Sequence, residues 1–234
     1  AIKRIAVSGG VAVTICPVQA GILGMRWNED GIVFAQIFKG IFRVSPSGGQ
    51  PEMLIPAENE NLINPQLLPG GKEILFQILP RNGSFTIADV DKAKTVVQTL
   101  KSGNRKTVLS GGSDVRYVPT GHLVYALSGI LFAVPFDAKR LEVTGSPVPI
   151  VEGVARVVGG ATAQYAYSET GVLVYGPGPV DAGGGRGVLG LVDREAGITP
   201  LKIPPGSYGF PRVSRDGKRV AYQIDEGKDA SVWI

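Results

Sequence analysis

The sequence predicts an all-β fold: a β-propeller of four-stranded blades, with about five blades or a fragment of a larger propeller of six or more. Three observations carry this. Chain breakers are abundant, one unit recurs five times, and each recurrence is followed by residues suited to strands. The 234 residues include 33 Gly and 17 Pro, about a fifth of the chain against roughly 12% in ordinary proteins. With no collagen-like period, such a content means many short elements and tight turns, which excludes a helix bundle. Apolar residues reach 44% and charged ones 19%, so the chain can build a core.

The recurring unit is a bulky apolar residue, a short linker ending in glycine, and then a β-rich run. It reads Trp27 with 28–31 and then IVFAQ, Leu67 with 68–71 and then KEILFQ, and Tyr117 with 118–121 and then HLVYA. Tyr167 with 168–171 is followed by VLVY, and Val213 with 214–217 by KRVAYQ. The turn glycines Gly31, Gly71, Gly121, Gly171 and Gly217 are 40, 50, 50 and 46 residues apart. A glycine suits a turn position with positive φ, and Val, Ile, Leu, Phe and Tyr after it suit strands.

Each copy then offers a second strand pair. These are Ile41–Val44 with Pro51–Ile55, Thr95–Leu100 with Arg105–Leu109, Ile130–Phe136 with Val148–Val151, and Val188–Asp193 with Ile198–Leu201. Four strands in 40 to 50 residues is the arithmetic of a propeller blade. Residues 91–100 also admit a helix, but Thr95, Val96, Val97 and Thr99 favour a strand. IKRIAV and VAVTI at the start read as the third and fourth strands of a blade, and SVWI at the end as the start of another third strand. The expectation is that residues 1–234 form one propeller unit cut from a longer chain.

Net charge is +4, spread without a basic block, so no nucleic-acid partner is expected. The single cysteine, Cys16, excludes an internal disulfide framework and zinc ribbons. Lys3 and Arg4 before Ile5–Ile15 imitate a signal peptide, but Ser8-Gly9-Gly10 splits the stretch, and two short strands are the better reading. No run of about 18 apolar residues occurs, so contact with a membrane is expected only through a segment outside this chain.

SRDGKRVAYQ and its relatives resemble the repeat motif of TolB-like, WD-repeat-like propellers. More narrowly, IKRIAVSGG, RYVPTGHLVYA, LFAVPFD with LEVTGSPVPIVEGV, and FPRVSRDGKRVA resemble the propeller that follows bacterial serine/threonine kinase domains. Nearly the whole chain takes part. Only the last repeat keeps Asp-Gly after Ser-Arg, while the glycine survives in all five. In such kinases the propeller follows a membrane-spanning helix. The resemblance therefore implies an extracytoplasmic or periplasmic binding or sensing module of a larger, membrane-tethered protein.

Other chemistry is thinly represented. Residues 185–190 match G-x-G-x-x-G, but they follow a Pro/Gly-rich loop and run into a strand, with no kinase catalytic-loop motif, so they read as a loop. His122 is the only histidine and opens a strand after a turn glycine, which suits a structural role. Asp89-Val90-Asp91 lacks the spacing of a calcium loop and reads as a hairpin turn. Lys72 and Lys218 are not followed by Ser or Thr, so there is no P-loop. No catalytic residue, metal site or cofactor is expected.

One constellation remains. Five residues before the turn glycines stand Arg26, Gln66, Arg116, Ala166 and Arg212. On innermost strands these lie at one height around the axis, where converging guanidiniums suit a carboxylate or phosphate. The residues by themselves favour the other reading, that each Arg packs along a blade face and pairs with a local carboxylate. The expected role is non-enzymatic, with a protein partner or a small anionic ligand bound at a mouth lined by Arg26, Gln66, Arg116 and Arg212. The competing reading is a propeller-type enzyme, or the gating propeller of a serine peptidase.

Overall fold

The repeat turns close alike. The glycine N–H donates to the carbonyl three residues back: Gly71 to Leu68 (3.0 Å), Gly121 to Val118 (3.0 Å), Gly171 to Ser168 (3.1 Å) and Gly217 to Ser214 (2.9 Å). All five turn glycines, Gly31 included, have positive φ between 66 and 123°, where a Cβ strains the backbone. In the last turn the Ser214 hydroxyl donates to Asp216 (2.5 Å) and accepts from the Arg219 N–H (3.0 Å). These side chains hold backbone groups that the turn leaves without ladder partners.

The computed structural model describes residues 1–234 apart from 7–9, 29, 81–86, 158–161, 169–170, 179–187, 193–196, 215, 226–229 and 234. It is a β-propeller of antiparallel sheets. An N-terminal pair, β1 (Ile2–Arg4) and β2 (Val13–Cys16), precedes a four-stranded sheet of β3 (Ile22–Asn28), β4 (Gly31–Gln36), β5 (Gly40–Val44) and β6 (Glu52–Pro56). The second sheet is β7 (Glu60–Leu67), β8 (Glu73–Pro80), β9 (Lys94–Thr99) and β10 (Arg105–Ser110), with a helical turn α1 (Ile87–Val90) between β8 and β9. The third is β11 (Ser113–Val118), β12 (His122–Leu127), β13 (Ile130–Asp137) and β15 (Val148–Glu152), with β14 (Glu142–Val143) extending β13.

A short pair, β16 (Arg156–Val157) and β17 (Thr162–Ala163), leads into the fourth sheet. That sheet is β18 (Tyr165–Tyr167), β19 (Leu173–Tyr175), β20 (Gly190–Val192) and β21 (Ile198–Pro200). Last comes a three-stranded sheet of β22 (Ser207–Val213), β23 (Val220–Asp225) and β24 (Ala230–Trp233).

The apolar runs have a simple cause. Strand side chains alternate between faces, and the sheets stack so that both faces are covered. Ile74 and Phe76 of β8 pack with Val33, Ala35 and Ile41 of the first sheet. Leu75, between them, packs with Val115, Leu123 and Val134 of the third. Likewise Leu123 faces the second sheet, while Val124 packs with Tyr165, Tyr175 and Val192 of the fourth. A central strand with two dry faces needs apolar residues at every position, each contributing about 1.5–3 kcal/mol on full burial.

Residues 94–99 are a strand, as their β-branched content predicts. Asp89 and Val90 close the helical turn α1 rather than a tight hairpin, so that expectation is corrected. Here the β8–β9 connection is long enough to carry helix of its own. His122 opens β12, with Nδ1 3.0 Å from the Thr120 carbonyl. In the G-x-G-x-x-G segment, residues 185–187 lie outside the described ones, and Gly190 begins β20. Among the described residues no helix is long and apolar enough to cross a membrane.

Candidate functional site

Two residues before the arginine positions the inner strand breaks step. The pairing register shifts between Ile22 and Met25, Ile63 and Gln66, Ser113 and Arg116, and Gly209 and Arg212. In the fourth repeat Gln164 separates β17 from β18. Gly24, Asn64 and Asp114 carry the break with φ of 103, 51 and 51°. Glycine, asparagine and aspartate are the residues that tolerate this region best. A bulge of this kind turns the strand and re-aims the side chains just beyond it. The side chains so aimed belong to positions 26, 66, 116, 166 and 212.

All five of these residues, Arg26, Gln66, Arg116, Ala166 and Arg212, line one cavity of about 960 Å³ at the end of the sheets that carries the repeat turns. Their bulky neighbours Trp27, Leu67, Tyr117, Tyr167 and Val213 line it too. The repeat equivalence read from the sequence is therefore a spatial convergence.

The five side chains differ in what they have left to offer. Arg116 has a partner at every guanidinium nitrogen. Nε and Nη2 donate to the two Asp114 carboxylate oxygens (3.0 and 2.6 Å), Nη1 donates to the Tyr165 carbonyl (2.7 Å), and the guanidinium carbon lies 3.9 Å from the centre of the Tyr165 ring. The Arg116 side chain is 5% exposed and that of Asp114 1%. Gln66 is committed as well: its amide accepts from the Tyr117 N–H and donates to the Tyr117 carbonyl, both at 2.9 Å, tying the second sheet to the third. Arg116 thus realises the alternative of pairing with a nearby carboxylate, and Gln66 is an inter-sheet strap.

Arg26 is half committed. Nη2 donates to Asp114, 88 residues away, at 3.2 Å, and Nη1 donates to the Met25 carbonyl. Arg212 is different. Its Nη1 donates to the adjacent Pro211 carbonyl (2.8 Å), and among the described residues no carboxylate lies within ion-pair distance of it. It opens to solvent through the cavity.

Asp114 is the anion that makes this cluster possible. Burial raises its pKa, but the charge and hydrogen bonds of Arg116, then the charge of Arg26, outweigh burial and leave the carboxyl below its ordinary value. Its Oδ2 also accepts from the Ala163 N–H (3.2 Å). The Tyr165 hydroxyl donates to the Asp114 carbonyl at 2.5 Å, which fixes the backbone of the bulge. Although Arg212 as a residue is exposed, desolvation of its guanidinium within the cavity, then the like charges of Arg116 and Arg26, lower its pKa to about 9, so it stays cationic at neutral pH. One carboxylate thus faces three guanidiniums. The surplus is positive and sits where Arg212 meets solvent.

Asp114 and Tyr165 are not visible as site residues from the repeat turns alone. A signal exists in the segments LGMR, INPQ and SDVR, which place Gly, Asn or Asp two residues before the cavity residue. Among the described residues no group of three or more His, Cys, Asp or Glu is placed to hold a metal ion.

No protein-family model and no curated protein matches this chain in sequence. Solved structures do match in shape. The chain is similar to TolB from Acinetobacter baumannii, with a TM-score of 0.71 and 18% identity over 98% of this chain and 55% of that one. It therefore spans about half the length of that TolB chain. A putative gluconolactonase gives a TM-score of 0.65 at 10% identity, covering 98% of this chain and 79% of its own. Puromycin hydrolase gives 0.62 at 15% identity, covering 96% and 38%. At such identities the likeness shows the fold, a β-propeller, and fold alone does not assign an activity.

Proposed function

We propose that this propeller is a non-catalytic binding module whose cavity takes an anionic ligand at Arg212. The observation that carries the reading is charge arithmetic at short range. Asp114 offsets one of the three arginines that line the cavity and Asp30 on the wall a second, and among the described residues no carboxylate lies within ion-pair distance of Arg212, which faces the opening. A carboxylate, sulfate or phosphate supplies the missing charge, and a guanidinium holds it through paired N–H donors. Arg26 adds field and one further donor group. Arg116, with a partner at every guanidinium nitrogen, adds charge and rigidity rather than a free fork.

A non-catalytic role fits the lining. The only ionisable carboxylate among the residues described on the cavity wall is that of Asp30, and His122 is not part of the wall. Acid–base or nucleophilic chemistry needs paired groups within hydrogen-bond reach. The resemblance to kinase-linked propellers extends the proposal to extracytoplasmic sensing within a larger protein. A kinase domain and a membrane-spanning helix upstream in the reading frame would support it, whereas a peptidase domain downstream would point to gating.

The test is calorimetric titration of the wild type and Arg212→Ala with phosphate, sulfate and small dicarboxylates. Binding by the wild type that falls at least about tenfold in the variant is expected. Equal binding by both proteins removes the site.

A further inference from the structure

We propose that the ligand is an organic anion with a flat aromatic body, stacked on Trp27 while its charged group meets Arg212; this rests on the anion reading above. Volume comes first. The cavity measures about 960 Å³, and an inorganic phosphate replaces only a few waters of about 30 Å³ each. Pockets that take whole small molecules measure roughly 300–1,000 Å³, and this cavity lies at the upper end of that range. An anion on Arg212 alone leaves most of the space to water. The ligand therefore has a body.

The chemistry of the wall says what kind. Trp27, Leu67, Tyr117 and Tyr167 line the cavity directly beside Arg26 and the other cavity positions of the repeats. Trp27 is 60% exposed, and among the described residues no aromatic ring packs on it. Tyr167 is already spent as a donor, its hydroxyl bonded to the Tyr117 carbonyl at 2.5 Å. The Tyr117 ring packs edge-on against Phe136 and both tyrosines lean on the inter-sheet cores, so among the described residues of the wall Trp27 is the ring left to a ligand. An exposed indole at the mouth of a cationic cavity is costly to leave wet and suited to a planar ring. A sugar phosphate or a bare dicarboxylate uses the charge and leaves that ring idle.

The experiment compares three anions that share one charged group: inorganic phosphate, methyl phosphate and phenyl phosphate. Each is titrated calorimetrically into wild type, Trp27→Ala, Trp27→Phe and Arg212→Ala. Phenyl phosphate is expected to bind the wild type roughly tenfold more tightly than methyl phosphate. Trp27→Ala brings the two together, Trp27→Phe keeps most of the preference, and Arg212→Ala weakens both in parallel. Ligand-induced change in tryptophan fluorescence is expected in the wild type and lost in Trp27→Phe, which keeps a ring and leaves Trp233 as the only indole. Equal binding of methyl and phenyl phosphate, or a preference that survives Trp27→Ala, overturns the aromatic assignment while the anion site stands. Failure of all three to bind overturns both.

Discussion

Arg26 and Asp114 stand 88 residues apart in sequence and 3.2 Å apart in space. Arg26 lies on the inner strand of the first sheet and Asp114 on that of the third. Their pairing runs across the cavity end of the propeller instead of along one blade. Arg116 completes the group from two residues beyond Asp114, so one buried carboxylate organises two inner strands. Asp114→Asn retains a residue that accepts positive φ but removes the charge from two guanidiniums. Removing one partner of a buried pair costs about 3–5 kcal/mol, and urea unfolding at pH 7 is expected to show a loss in that range. A loss under about 1 kcal/mol would mean that the carboxylate is dispensable.

The same pair sets an acid limb. The Asp114 pKa is lowered in the folded protein, so its contribution is complete above the unfolded value near 4 and is lost as pH falls through the lower folded value. Wild type and Asp114→Asn should therefore differ most at neutral pH and converge below about pH 4. A gap that stays constant down to pH 2 would show that the carboxylate's ionisation is not what stabilises the fold.

Gly24 allows a close approach. A Cβ built there meets Asn64 Oδ1 at 2.6 Å and Asn64 Cα at 2.7 Å, with φ at +103°. Gly103 also has positive φ, +74°, but has open space around it. Gly103→Ala is expected to lose about 1 kcal/mol from backbone strain, and Gly24→Ala about 3 kcal/mol or more, because backbone of the second sheet must move as well. Thermal melts of the two variants make the comparison. Equal losses would mean that the first two inner strands separate easily.

Gln66 tests the inter-sheet strap. Gln66→Ala removes both bonds to the Tyr117 backbone, leaving a donor and an acceptor without their partner. The expected cost is roughly 1–3 kcal/mol, with anion affinity changed little because both ends of the Gln66 amide are engaged by the Tyr117 backbone. A variant that loses anion binding and keeps its stability would make Gln66 a ligand contact.

Much of the fold was legible in the sequence because turn chemistry and strand chemistry are local. A glycine with positive φ and an apolar run announce themselves within about ten residues, and the repeat multiplies the signal. Equivalence between repeats then placed Arg26, Gln66, Arg116 and Arg212 together, as the cavity shows. How each is used was not legible. Whether an arginine is saturated depends on partners such as Tyr165, 49 residues from Arg116, and no local pattern encodes that distance. Asp114 is an intermediate case: its role at the bulge is written in SDVR, but its pairing with Arg26 is purely tertiary.

The most direct measurement is the position of a bound anion. Crystals soaked in tungstate, a tetrahedral dianion, give an anomalous difference map that locates the tungsten atom. A peak in the cavity within salt-bridge distance of the Arg212 guanidinium, and absent in Arg212→Ala crystals, is the expected result. Tungstate held elsewhere, with the cavity empty in wild-type crystals, would contradict an anion site at the mouth of this propeller.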